Sequence, residues 1–95
     1  MNVHETRAAR IERVLTQALA PTEIEIKDVT HRHARHKDRL GIEGQETHFA
    51  VKIVSDRFEG LSRIARHRQV NELLKAEFES GLHSLALTTQ TPGAS

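Results

Sequence analysis

Residues 61–80 read LSRIARHRQVNELLKAEFES, and where this run turns decides the fold. Its apolar positions form two sets. Leu61, Ile64 and Ala65 make the first; Val70, Leu73, Leu74 and Phe78 make the second, with the polar Glu77 in phase. At about 100° per residue the two sets point to nearly opposite sides of one helix, and a single straight helix cannot bury both against one sheet. The pattern predicts two helices with a break between Arg66 and Gln69, which places Arg66, His67 and Arg68 at the corner. Gly81 follows the last apolar turn, where a helix C-terminus favours glycine.

Upstream, Ile11, Val14, Leu15, Ala18 and Leu19 recur at helical spacing and Pro21 stops them, so a first helix is expected over roughly residues 3–19. TEIEIKD (22–28) alternates with Ile24 and Ile26 on one face. HFAVKIVS (48–55) alternates more clearly, with Phe49, Val51 and Ile53 together and Lys52 opposite. HSLALTT (83–89) puts Leu85 and Leu87 on one face, and TPGAS (91–95) reads as a frayed tail. The order is α-β-β-α-α-β. Strands 1 and 2 can pair antiparallel, while a right-handed helical crossover makes strand 3 parallel to its neighbour. The expectation is an α+β domain over residues 1–92, with helices on one face of a three-stranded mixed sheet and residues 93–95 outside it.

A chain of 95 residues, 37% hydrophobic and 28% charged, suits one soluble domain around a small core. The apolar runs are too short to span a membrane, and Arg7, Arg10 and Arg13 near the start accompany no apolar signal region. A cytosolic address and a monomer when alone are the expectations. With 14 basic and 13 acidic residues, the formal charge of +1 offers no broad field for nucleic acid, so such binding would need a local patch. The absence of cysteine excludes disulfides, zinc–thiolate sites and a cysteine nucleophile. It also excludes an iron–sulfur cluster held by this chain's own thiolates.

The connection between strands 1 and 2 spans about eighteen residues, where a hairpin uses two to five. THRHARHKDRLGIEGQETHF (30–49) carries His31, His33 and His36, with His48 at its end. Loops of that length tend to be functional or disordered, and the clustered imidazoles raise the question of a metal site.

At this point the residues resemble BolA-like proteins. ETHF, VSDRFEGLSRIARHR and LHSLAL carry the likeness in the second half, EIEIKDVTHRHA carries it in the first, and it covers about residues 8–92. The resemblance implies a fold like the class II KH domain. It also implies a partner, a monothiol glutaredoxin with glutathione, sharing a bridging [2Fe-2S] cluster. A further implied role is transcriptional regulation of morphology and stress genes through DNA contacts of the helical region. The family's ligand histidine in RHR matches His67. Its second ligand, in the loop after strand 1, matches His33 best, with His36 and His31 as alternates. Lacking cysteine, this chain would be the histidine-loop type.

Two imidazoles can replace two thiolates at one iron of such a cluster, and a glutaredoxin cysteine plus glutathione would complete the set. Arg66 and Arg68 beside His67 suit carboxylates. Protonated imidazole cannot bind iron, so acid should release the cluster. His48, one residue before the core-facing Phe49, is expected on the opposite face as a hydrogen-bonded structural residue. His83 is expected to be partly buried, and His4 exposed. A zinc site from His31, His33, His36 and His48 matches no familiar spacing.

The competing class is nucleic-acid binding by a basic face of Arg57, Arg63, Arg66, Arg68 and Lys75. EGLSR (59–63) has Gly60 but lacks the second glycine of a KH-type loop, and three Phe with no Tyr or Trp offer few stacking platforms. No enzyme activity is expected, because Ser62 and His67 have no third member and no phosphate loop or carboxylate dyad is in frame.

Overall fold

The computed structural model describes residues 5–30 and 47–93. Helix α1 (Arg7–Leu19) leads into strand β1 (Glu23–Asp28), and strand β2 (His48–Val54) follows the long connection. A 3₁₀ turn (Asp56–Phe58) precedes helices α2 (Arg63–Leu73) and α3 (Lys75–Glu79), and strand β3 (Ser84–Gln90) completes the fold. The α-β-β-α-α-β order is as the sequence predicts.

Helix α1 begins at residue 7, later than expected, because Thr6 takes the N-cap and its hydroxyl accepts from the Ala9 amide at 3.1 Å. It ends on Ala20, which is left-handed (φ 44, ψ 55). Its apolar stripe buries Ile11, Leu15 and Leu19 completely.

The sheet order is β1-β2-β3, with β1 antiparallel and β3 parallel to the central β2. Ile24 pairs with Ile53 and Ile26 with Val51, while Phe49 and Val51 lie beside Leu85 and Leu87. Strand side chains alternate, so these residues share the face turned to the helices. There they join Phe58, Val70, Leu74 and Leu82 in one core. The other face carries Glu23, Glu25, His48, Ala50, Lys52, Ala86 and Thr88, and no helix of the described residues packs upon it.

One expectation fails. Helix α2 runs unbroken through residues 66–69, and the turn falls at Leu74. The predicted break assumed that Leu61, Ile64 and Ala65 formed a stripe demanding burial. Leu61 lies before the helix and packs on the core from the turn, whereas Ile64 is 66% exposed. With Ile64 left in solvent, one helix has only one stripe to bury, so nothing forces a corner at His67. Gly81 follows the Ser80 C-cap with φ +130, in the role foreseen for it. A Cβ there would also stand 3.2 Å from Arg7 Nη2.

The polar residue in the second stripe, Glu77, is 7% exposed and is held from α1. Arg7 Nη1 donates to Oε1 at 2.7 Å; Arg10 Nε donates to Oε2 at 2.9 Å, and its Nη2 to Oε1 at 3.1 Å. Arg7 also reaches the Glu77 carbonyl and Ser80 Oγ, tying α1 to the end of α3. The hydrogen bond from Arg10 is the main cause holding the carboxyl below its ordinary value. The charges of Arg10 and Arg7 add to it, against the opposing effect of burial.

Candidate functional site

Two imidazoles meet at one end of the sheet. His48 opens β2, and alternation with the buried Phe49 directs it to the face opposite the core, as expected. His83 immediately precedes β3, which is parallel to β2 with His48 beside Ser84. The rings lie 6.1 Å apart, centroid to centroid, tilted by 46°.

The backbone around them is pinned. The His83 amide donates to the Thr47 carbonyl at 2.8 Å, and the Ser84 amide donates to the same oxygen at 3.1 Å. Thr47 Oγ1 is 2.8 Å from His48 Nδ1. Across β2 the buried Thr30 hydroxyl accepts from the Thr47 amide at 3.1 Å and the His48 amide at 3.2 Å. Thr30 and Thr47 are therefore the two feet of the segment that carries the remaining clustered histidines. His31, His33 and His36 lie outside the described residues, as does His4.

His83 departs from expectation by being exposed, with Leu82 buried in its place. Its apparent phase with Leu85 and Leu87 does not apply, because the strand begins only at Ser84. The signal that could have found this pair was the parallel register itself. With β3 parallel to β2 and His48 in register with Ser84, the histidines that open HFAVKIV and HSLALTT become neighbours.

His67 stands elsewhere. It lies inside α2 and shares a shallow outward groove with Ser62, Arg63, Ile64, Arg68 and Asn71. His48 belongs to the outer face of the sheet and His67 to the outer side of the helical layer, so the structure does not bring them together. Along β3 the separation repeats. Arg66, next to His67, donates to the Thr89 carbonyl, five residues and about 17 Å along the strand from Ser84.

The five cations read as one basic face divide in two. Arg57 donates from Nη1 to the Ala18 carbonyl at 2.6 Å and so closes the C-terminal end of α1. Arg66 donates from Nε to the Leu61 carbonyl at 3.0 Å and from Nη1 to the Thr89 carbonyl at 3.3 Å, with its guanidinium carbon 5.8 Å from the centre of the Phe58 ring. Both thus make contacts with backbone carbonyls that help hold the fold together, Arg57 while remaining exposed and Arg66 while half-buried. Arg63, Arg68 and Lys75 are exposed and make no ion pair among the described residues. On the α2–α3 surface Glu72 and Glu79 alternate with Arg68 and Lys75, which is the pattern of a solvated face.

In chemical terms the sheet end offers imidazole nitrogen without thiolate. Among the described residues no three groups of metal-ligating type converge there. The pair His48 and His83 is a donor set that fits part of a cluster or metal and depends on further ligands. No described helix is long and apolar enough to cross a membrane.

Comparison with known proteins places this arrangement. The family model described as BolA-like protein matches residues 15–94. The chain is 45% identical over 91 residues to Protein BOLA1, chloroplastic, of Arabidopsis thaliana, covering 96% of this chain and 57% of that protein. The structure of BolA1 from Arabidopsis thaliana superposes with a TM-score of 0.86, covering 96% of this chain and 97% of that one. SufE-like protein 1, chloroplastic/mitochondrial, of the same plant is 44% identical over 89 residues, 92% of this chain and 24% of that protein. Its BolA domain superposes with a TM-score of 0.80 at 43% identity, covering 90% of this chain and 92% of that domain. The chain thus spans about half the length of one of these relatives and a quarter of the other.

Proposed function

This chain belongs to the BolA-like protein family, and on that premise we propose that it is an adaptor sharing a bridging [2Fe-2S] cluster with a monothiol glutaredoxin and its glutathione. Its role would lie in cluster assembly, trafficking or iron sensing, in the cytosol. The occurrence of a closely similar domain within a SufE-like protein supports an iron–sulfur context.

The observation that carries the reading is the pairing of His48 and His83 at the feet of the segment bearing His31, His33 and His36. From that geometry His83 is the favoured ligand on this chain. His33 is its favoured companion, with His36 and His31 as alternates. The family likeness pointed instead to His67, which lies on the other layer. Two imidazoles here and two thiolates from the partner complete the four positions. His48, through Thr47 and the shared anchorage to Thr30, orients the end of the sheet.

The test is reconstitution with a monothiol glutaredoxin, glutathione, iron and sulfide, followed by visible absorption and circular dichroism. Wild type should give a spectrum distinct from that of the glutaredoxin homodimer. His83→Ala and His33→Ala should lose it, and His67→Ala should keep it. Loss in His67→Ala with retention in His83→Ala would return the ligand to α2. A wild-type mixture indistinguishable from glutaredoxin alone would defeat the shared-cluster reading for that partner.

A further inference from the structure

The outward groove of α2 is separate from the histidine pair and has features of its own. Ile64 is the one large aliphatic side chain left exposed among the described residues, at 66%. It stands between Arg63 and Arg68, with the half-buried His67 and the exposed Asn71 one turn further along. Neither arginine has a carboxylate partner among the described residues, although Arg57 and Arg66 in the same region are fastened to carbonyls. An exposed aliphatic side chain flanked by two guanidinium groups that have no carboxylate partner among the described residues is complementary to an aliphatic side chain flanked by carboxylates.

We propose that the α2 groove lined by Ser62, Arg63, Ile64, His67, Arg68 and Asn71 docks an acidic peptide segment of a partner protein through an aliphatic anchor. The anchor would pack on Ile64 while its acidic neighbours pair with Arg63 and Arg68. Nucleic acid suits the groove less well. A phosphate backbone has no use for an exposed isoleucine, and among the described residues Arg57 and Arg66 are bonded to backbone carbonyls while Arg63, Arg68 and Lys75 are interspersed with Glu72 and Glu79. Because the groove lies on the helical layer and the histidine pair on the sheet, both surfaces can be occupied at once. The proposal does not rest on the cluster reading.

The probe is a fluorescein-labelled synthetic peptide, DELLED, followed by anisotropy and by amide chemical shifts of the full chain. The comparison probes are DEGGED, KKLLKK and a duplex oligonucleotide. Saturable binding of DELLED should shift amides of residues 62–71 and leave Thr47, His48 and His83 in place. DEGGED and KKLLKK should bind at least tenfold more weakly. Ile64→Asp and Arg68→Glu, both at exposed positions, should each weaken DELLED at least tenfold with an unchanged circular dichroism spectrum. Four results would overturn the proposal: no shift in residues 62–71 at millimolar DELLED; equal binding of DEGGED; tighter binding of the duplex at the same residues; or self-association of the chain that Ile64→Asp abolishes, which would make a second copy the occupant. None of these involves iron or glutaredoxin, so the outcome is independent of the reconstitution spectrum.

Discussion

Ser55 is wholly buried between α1 and the 3₁₀ turn, and each side of its hydroxyl is used. It donates to the Leu19 carbonyl at 2.6 Å, satisfying the end of α1, and accepts from the Arg57 amide at 3.1 Å. Ser55→Ala strands a buried carbonyl and a backbone amide together, so unfolding by urea should show a loss of about 2 kcal/mol. Ala20 works in the opposite sense. Its left-handed backbone (φ 44) burdens a Cβ at an exposed helix end, where glycine would be unstrained. Ala20→Gly should gain about 0.5–1 kcal/mol in the same measurement, the relief of strain exceeding the added freedom of the unfolded chain. An unchanged or lowered midpoint would contradict this. Serine before a turn is a legible sign of a cap. That Ser55 would also seal a helix thirty-six residues earlier is not, since the sequence holds no trace of which carbonyl lies opposite.

At the scale of elements, α1 and α3 are joined through Glu77. The pairing is not isolated in water, since Glu77 is 7% exposed and the Arg7 side chain 13%. Glu77→Gln would leave two guanidinium groups facing a neutral amide and should cost about 2 kcal/mol. The linkage has a definite sign. The carboxyl is depressed below its ordinary 4.5 in the folded state, so its stabilising share is fully present above pH 4.5. That share is lost as pH falls through the lower folded value. Stability measured against pH should therefore decline on the acid side in wild type and be flatter there in Glu77→Gln; parallel curves would show that the clamp does not govern this arm. The sequence marks Glu77 as the odd member of an apolar stripe, but its partners lie some seventy positions away. Helix α2 shows the opposite failure. Ile64 looked like core by type and spacing, and its exposure moved the turn from residues 66–69 to Leu74.

For the whole molecule the two proposals place their surfaces on opposite layers. The sheet end holds His48 and His83; the outer side of α2 holds Ile64 and its arginines. Ile64→Asp should leave the reconstituted cluster spectrum unchanged, and His83→Ala should leave DELLED affinity within twofold of wild type. Reciprocal losses would mean that the surfaces act as one, and would argue against the separation drawn from the layers. Within this frame Arg57 and Arg66 serve the fold, closing α1 and tying α2 to β3, so their removal should lower stability before it lowers any binding.

Local periodicity by itself determined the α+β class, the order of elements, the three strands and the sides of the sheet they bury, because side-chain alternation and helical spacing are short-range consequences of backbone geometry. It also determined that Gly81 ends a helix and that His48 turns away from the core. Only the tertiary structure decided where α2 turns, that Arg57 and Arg66 are spent on carbonyls, that Arg7 and Arg10 answer Glu77, and that His83 rather than His67 stands beside His48. Each of those outcomes depends on which distant groups become neighbours once the sheet is assembled and the helices lie across it. Such neighbours are selected by packing and by the pairing of buried polar atoms, not by spacing along the chain.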